Sequence, residues 1–227
     1  MNYTLIGLGI ILCVLIYVMY EYLNRKGNQV GSNMVTLNAT TSNPSVSYSL
    51  LSDPTSSRYN LSFWINVNNL PSESTIFDIK TGTASNLKVF LTTDSTLKYT
   101  IMSASDPNSI INHIIIPDFP LQKWVYVILS IDGKVVDTYI DGKMIRSEAL
   151  SEVPTLTDKN SNIVFGNPPS LIYLTKFNRT PSPMDPGLAW SSYMAGNGGN
   201  SFSMFSSYGA NFTLTKDNLD VNKMALF

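Results

Sequence analysis

The stretch KWVYVILSIDGKVVDTYIDGKMIRSEAL, residues 123–150, holds three apolar-rich runs separated by two Asp-Gly pairs, Asp132-Gly133 and Asp141-Gly142. Asp-Gly between alternating segments is a strong short-range hairpin signal, because the tight turns that match strand twist need positive φ. Two such turns nine residues apart predict a three-stranded antiparallel meander. In KWVYVILSI both faces are apolar, as in a central strand, whereas KVVDTYI and KMIRSEAL carry more polar positions.

Working outward, YNLSFWINV (59–67) alternates at period two, with Leu61, Phe63, Ile65 and Val67 on one face and Trp64 on the other. Further strands are expected at 46–51, 75–80, 87–92, 96–102, 110–116, 162–166 and 171–178. One short helix is expected after Asp185, with Pro186 at its first position, Gly196 ending it and Leu188, Ala189 and Tyr193 on its buried side. The tail YGANFTLTKDN alternates again through Phe212 and Leu214, and a last strand is expected there, ahead of an extended end at Leu226-Phe227.

Composition agrees with an all-β chain. Hydrophobic residues make up 44% of the 227 residues and charged ones only 14%, with Ser, Thr and Asn supplying polarity on solvent-facing strand positions. The net charge of −1 gives no basic surplus for nucleic acid. Cys13 is the single cysteine, so the large domain contains no internal disulfide, which favours folding in a reducing compartment.

Cys13 lies in YTLIGLGIILCVLIYVMY, residues 3–20, which carries no charge. As a helix this run spans about 27 Å, close to the ~30 Å hydrocarbon core of a bilayer. Tyr3 at one end and Tyr17, Tyr20 and Tyr22 at the other suit interface depth. A cleavable signal peptide is rejected, since no basic residue precedes the run and no Ala-x-Ala follows it. The expected organisation is a transmembrane anchor at 1–23 that meets the bilayer through residues 3–20, a polar linker at 24–45, a jelly-roll domain at 46–200 and a C-terminal strand or tail at 201–227. Arg25 and Lys26 follow the apolar run and nothing basic precedes it, which puts the domain on the cytoplasmic side. Sequons at Asn38, Asn60, Asn178 and Asn211 point the other way; Asn43 is disqualified by Pro44.

Four segments resemble the concanavalin A-like, laminin-G-type jelly-roll family: NLSFWINV (60–67), PLQKWVYVILSIDGKVVDTYIDGKMI (120–145), NIVFGNPP (162–169) and LIYLTKFNRTPSPMDPGLAWSSYMAGNG (171–198). The resemblance covers about residues 60–198 and implies a two-sheet sandwich. The N-terminal anchor, the cysteine-free domain and the short tail (LTKDN…LF) also resemble membrane-linked structural proteins of large eukaryotic DNA viruses.

Some relatives of this fold hydrolyse glycans with a Glu-x-Asp-x-x-Glu strand, whose alternation brings three carboxylates to one sheet face. That spacing is absent: Glu73 is followed by Thr75, and no Asp lies between Glu148 and Glu152. The resemblance also implies possible calcium sites on rim loops. Asp78, Asp94, Asp106 and Asp118 are scattered, however, and Asp132 and Asp141 are explained as turn formers. His113, the only histidine, lacks zinc-ligand partners and reads as a strand residue. Gly196-Asn197-Gly198-Gly199 is followed by no lysine and is no phosphate loop. Of the tryptophans that could stack on sugar, Trp124 and Trp190 are expected to be packed inside, and Trp64 is undecided.

No catalytic, cofactor or metal residues are therefore assigned. Two functions fit. One is a non-enzymatic structural protein pinned in an internal virion membrane, its domain facing a capsid or other virion protein. The other is a membrane-anchored, carbohydrate-binding, lectin-like surface module.

Overall fold

A computed structural model describes residues 9, 11–17, 29–31, 35–37, 45–103, 110–166, 171–197, 211–216 and 219–225. In chain order the strands are β1 (Gln29–Gly31), β2 (Val35–Thr36), β3 (Ser45–Ser47), β4 (Arg58–Asn69), β5 (Ser74–Thr81), β6 (Ala84–Leu91), β7 (Leu97–Met102) and β8 (Ile110–Ile116). They continue as β9 (Trp124–Asp132), β10 (Val135–Ile140), β11 (Lys143–Ala149), β12 (Ser161–Phe165), β13 (Leu171–Thr180), β14 (Asn211–Lys216) and β15 (Leu219–Ala225). One sheet runs β1-β13-β4-β9-β10-β11, with β2 also on β13; the other runs β3-β12-β5-β6-β7-β8. Every pairing is antiparallel.

Alternation along β4 and β9 builds the core. Leu61, Phe63, Ile65 and Val67 on β4, with Val125, Val127, Leu129 and Ile131 on β9, face the opposite sheet and are fully buried. Phe63, Phe77, Phe165 and Phe177 meet at the centre, with Phe177 stacked on Phe63 at 5.6 Å and edge-on to Phe77 and Phe165 at 5.0 Å. Each buried ring contributes roughly 2–3 kcal/mol of transfer free energy. At one open side of the sandwich, Arg146 of β11 donates through Nη1 to the Ile115 carbonyl of β8 at 2.6 Å, tying the two edge strands together.

Both Asp-Gly signals form hairpins, of different kinds. Asp141 and Gly142 both have positive φ (49° and 76°) between the paired residues Ile140 and Lys143, as a type I′ turn needs. In the first turn Asp132 still pairs with Val135, so the loop is Gly133-Lys134 with Gly133 at φ 61°, the type II′ pattern.

Several elements differ from expectation. The edge strand expected at 46–51 covers Ser45–Ser47 and then turns into a 3-10 turn, Tyr48–Leu50, capped by the Ser47 hydroxyl. β1 and β2 pair with β13 inside the stretch read as linker. The tail does form a strand through Phe212 and Leu214, which pairs with β15 and, among the described residues, with neither sandwich sheet. Leu226 and Phe227 lie outside the described residues. In the N-terminal run, residues 11–17 are helical and Ile11, Leu12, Val14, Leu15 and Ile16 stand exposed. Among the described residues no helix is long and apolar enough to cross a membrane. The rest of the expected 3–20 span lies outside them.

Candidate recognition surface

The positions of β4, β9 and β10 that point away from the core carry a second aromatic cluster. Trp64, Tyr126, Ile128 and Tyr139 pack there beneath the helix Pro186–Met194, which contributes Ala189 and Tyr193. Tyr193 stacks on Trp64 at 5.7 Å, and Trp64 contacts Tyr126 at 5.1 Å. The outer face of the seven-stranded sheet is thus filled over β4, β9 and β10.

The helix is fixed at both ends. The Asp185 carboxylate accepts from Gly187 N (2.8 Å) and Leu188 N (3.1 Å), and just before it Met184 N donates to Ser130 Oγ at 2.9 Å. At its far end Gly196, at φ 70°, donates to the Tyr193 carbonyl, while its own carbonyl accepts from Lys176 Nζ on β13 at 2.9 Å. Lys176 is itself a positive-φ residue at a bulge in the β4–β13 ladder.

The turn at Asp141-Gly142 meets this helix. Asp141 Oδ1 accepts from Tyr126 N at 2.9 Å, and Oδ2 lies 3.6 Å from Lys123 Nζ. Gly142 packs directly under Trp190 and Tyr193. Beyond that contact the surface is apolar and open. Trp190 is 46% exposed, Leu188 60%, Met194 63% and Met144 46%. Met144 pairs with Tyr139, so its side chain shares the helix-bearing face.

Two expectations are corrected here. Leu188, placed on the buried side of the helix, points outward, because Ala189 is the residue that faces Tyr139 and Tyr126. Trp190, expected inside, is half-exposed, because the close approach of Gly142 leaves the indole lying along the rim of the helix. Trp124 is partly buried against the outer cluster, and Trp64 is buried in it.

Among the described residues the carboxylates do not converge. Glu148 pairs with Arg146, and Glu152 bonds the Ser103 hydroxyl. Asp78 is held by Ser85 and lies 3.4 Å from Lys80. Asp94 is bonded by the Thr92 hydroxyl, which holds its carboxyl below the ordinary carboxylate range. Asp118 is a positive-φ loop residue, and Asp106 and the side chain of His113 lie outside the described residues. Among the described residues no group of three His, Cys, Asp or Glu side chains could hold a metal ion.

Two sequons are accounted for. Asn60 is 2% exposed and its Nδ2 donates to the Ser182 carbonyl at 2.8 Å. Asn178 is half-buried within β13, pairing with Gln29 on one side and Ser62 on the other. Asn38 and the side chain of Asn211 lie outside the described residues.

One residue was not foreseen. Arg179 is fully buried, and none of the ion pairs among the described residues includes it. Its Nη1 donates to the carbonyls of Ser52 and Asp53 (3.2 and 3.1 Å) and its Nη2 to those of Pro54 and Ser56 (3.3 and 3.4 Å). Its Cζ lies 4.8 Å from the Tyr59 ring and 5.3 Å from the Tyr48 ring. It is a structural clamp on the loop before β4, with cation–π contacts in place of a counter-ion.

The family described as the concanavalin A-like lectin/glucanases superfamily matches residues 32–178 of the chain. No curated protein sequence matches it. Solved structures of similar shape include the botulinum neurotoxin type G receptor-binding domain, at 15% identity and a TM-score of 0.55, covering 73% of this chain and 45% of that one. The serotype D binding domain is similar at 14% identity and a TM-score of 0.60, with 73% and 44% covered. The serotype D ligand-binding domain in complex with N-acetylneuraminic acid is similar at 18% identity and a TM-score of 0.58, with 74% and 45% covered. The chain thus spans less than half the length of those domains.

Proposed function

The chain belongs to the concanavalin A-like lectin/glucanase superfamily, and from that premise we propose that it is a non-catalytic, membrane-tethered recognition module that engages a protein partner. The observation that carries this reading is the covered outer sheet face. The helix Pro186–Met194 and the buried ring of Trp64 fill the outer face of β4, β9 and β10, so no cleft opens over those central strands. The acidic side chains that could do glycan chemistry are engaged separately at Arg146, Ser103 and Ser85. What the chain offers instead is a surface of low charge, rich in Ser, Thr and Asn, suited to uncharged protein contact.

The tether is the N-terminal apolar run. Its helical part exposes Ile11, Leu12, Val14, Leu15 and Ile16 to solvent, and a row of such side chains is stabilised by lipid. Arg25 and Lys26 favour the cytoplasmic side for the domain, and the burial of the Asn60 acceptor nitrogen weakens the opposing case from sequons. A capsid or other virion protein, the partner class that the resemblance to membrane-linked viral structural proteins implies, would meet the domain on that side.

Two measurements test the reading. In liposome flotation the full chain should rise with the vesicles and the chain lacking residues 1–26 should stay behind. Crosslinking of the full chain in its native membranes, read by mass spectrometry, should link Lys residues of the sandwich to a defined protein neighbour. Failure to float removes the tether, and crosslinks to no protein remove the partner.

A second reading, glycan binding, is favoured by the similarity to a domain solved with N-acetylneuraminic acid and by the half-exposed Trp190, whose indole can stack on a sugar ring. Binding on a glycan array that is lost in Trp190→Ala, with no protein crosslinks, would replace the first reading by the second.

A further inference from the structure

We infer that the helix Pro186–Met194 is a membrane-surface contact, a second point at which the domain touches the bilayer that tethers it; this rests on the tether reading above. Residues 186–197, PGLAWSSYMAGN, carry no charge at all. A helix packed on a soluble domain ordinarily turns charged and polar side chains to water. This one carries apolar side chains on both sides: Ala189 and Tyr193 go inward, while Leu188, Trp190 and Met194 go outward around the exposed Ser191, with Met144 beside them. Trp190 and Met194 are four residues apart and so share a face. A half-exposed tryptophan among leucine and methionine, with its polar N–H at the rim, is the composition that settles at the boundary between headgroups and acyl chains.

Position supports the same occupant. Eight residues, 21–28, separate the apolar run from β1, so the domain lies within about 29 Å of the membrane when that strap is fully extended. The strap lands on β1, where Gly31 pairs with Phe177. The neighbouring Lys176 reaches over to bond the Gly196 carbonyl just past the end of the helix. The landing point of the tether and the C-terminal end of the apolar helix are therefore joined through one side chain, and a bilayer that holds the first is close to the second. A free-standing protein partner would need no such proximity.

The test uses the full chain in phosphatidylcholine liposomes containing lipids with a nitroxide near the headgroup end of the acyl chain. Trp64 is buried and Trp124 partly so, which leaves Trp190 as the exposed reporter. Total tryptophan emission should fall, as expected when one indole sits at interfacial depth, and this quenching should disappear in Trp190→Phe, which keeps an aromatic contact with Tyr193. Flotation of both proteins should be unchanged. Equal quenching in the two proteins, with normal flotation, would overturn the helix contact and leave the tether standing. Loss of flotation would remove the tether and the contact together. Protection of Trp190 from an aqueous quencher that appears only when a protein partner is added would assign the patch to that partner instead.

Discussion

Gly142 and Trp190 touch at backbone depth: a Cβ on Gly142 would stand 3.1 Å from Trp190 Cα and 3.1 Å from Trp190 Cε3. The absence of a side chain at the second position of the turn is what lets the helix lie down on the hairpin. Gly133, in the neighbouring turn at φ 61°, has nothing within 4 Å of its Cβ position. The pair separates two costs that glycine usually combines.

Gly133→Ala should therefore cost only the positive-φ penalty, about 1 kcal/mol. Gly142→Ala adds a steric conflict with helix backbone and Tyr193 Cβ, and should cost about 2–4 kcal/mol in all. Urea denaturation of the two variants measures the difference. Equal midpoints would mean that the helix is not seated on the turn.

Arg179 gives a second stability test. Replacing it by Met would remove donors to four carbonyls of residues 52–56, of which Asp53 and Pro54 keep a second donor in Ser56 N and Thr157 Oγ1. The expected loss is on the order of 3 kcal/mol. Arg179→Lys keeps the charge but not the planar fork, and should recover only part of that loss. Faster proteolysis within residues 52–56 would accompany both changes, and a wild-type cleavage pattern in Arg179→Met would contradict the clamp.

Buried tyrosines, Tyr48 and Tyr59 beside this clamp and Tyr99 elsewhere in the core, make the fold sensitive to alkali. Burial pushes the Tyr59 phenol up to about 12 from its ordinary value of 10, and burial also pushes Tyr48 and Tyr99 up. In each case the folded state holds a proton that the unfolded chain releases near pH 10. Their contribution is therefore complete below pH 10, and for Tyr59 it is lost as the pH rises from about 10 to about 12. The slope in that window is up to about 1.4 kcal/mol per pH unit for each tyrosine. Stability measured at several alkaline pH values should fall less steeply in Tyr59→Phe than in the wild type.

Much of this fold was legible because alternation and turn chemistry are local. The meander at 123–150, the opposed faces of Leu61 and Trp64, and the Asp185 cap followed by Pro186 all follow from neighbours in sequence. What escaped depended on bulges and on approach between distant segments. The bulge between Thr175 and Asn178 shifts the alternation of β13 by one residue and so carries Arg179 to the core face beside Phe177. Reading LTKFNRT with that shift would have been the only signal for a buried arginine. The exposure of Trp190 likewise depends on Gly142, 48 residues away, and no local pattern records it. The candidate surface was thus legible as a helix and as a turn, but not as their junction.

The sequons provide the last prediction, because folding decides which of them can be used. An oligosaccharide transferred to Asn60 would occupy the nitrogen that donates to Ser182, at a side chain with almost no exposed area. Asn178 lies between two paired strands, and its Nδ2 is 3.5 Å from Thr180 Oγ1 within the same ladder. A glycan at either site would have to displace backbone pairing of β13 or the segment before the helix. If the chain is directed into a glycosylating compartment, peptide mapping of the folded product should find Asn60 and Asn178 unmodified. Any mass removed by glycosidase should then trace to Asn38, Asn211 or the Asn2-Tyr3-Thr4 sequon. Full occupancy of Asn60 in a protein that still unfolds cooperatively would show that the packing around Ser182 is not as described. Absence of any glycan on protein from native membranes is the outcome expected if Arg25 and Lys26 hold the domain on the cytoplasmic side.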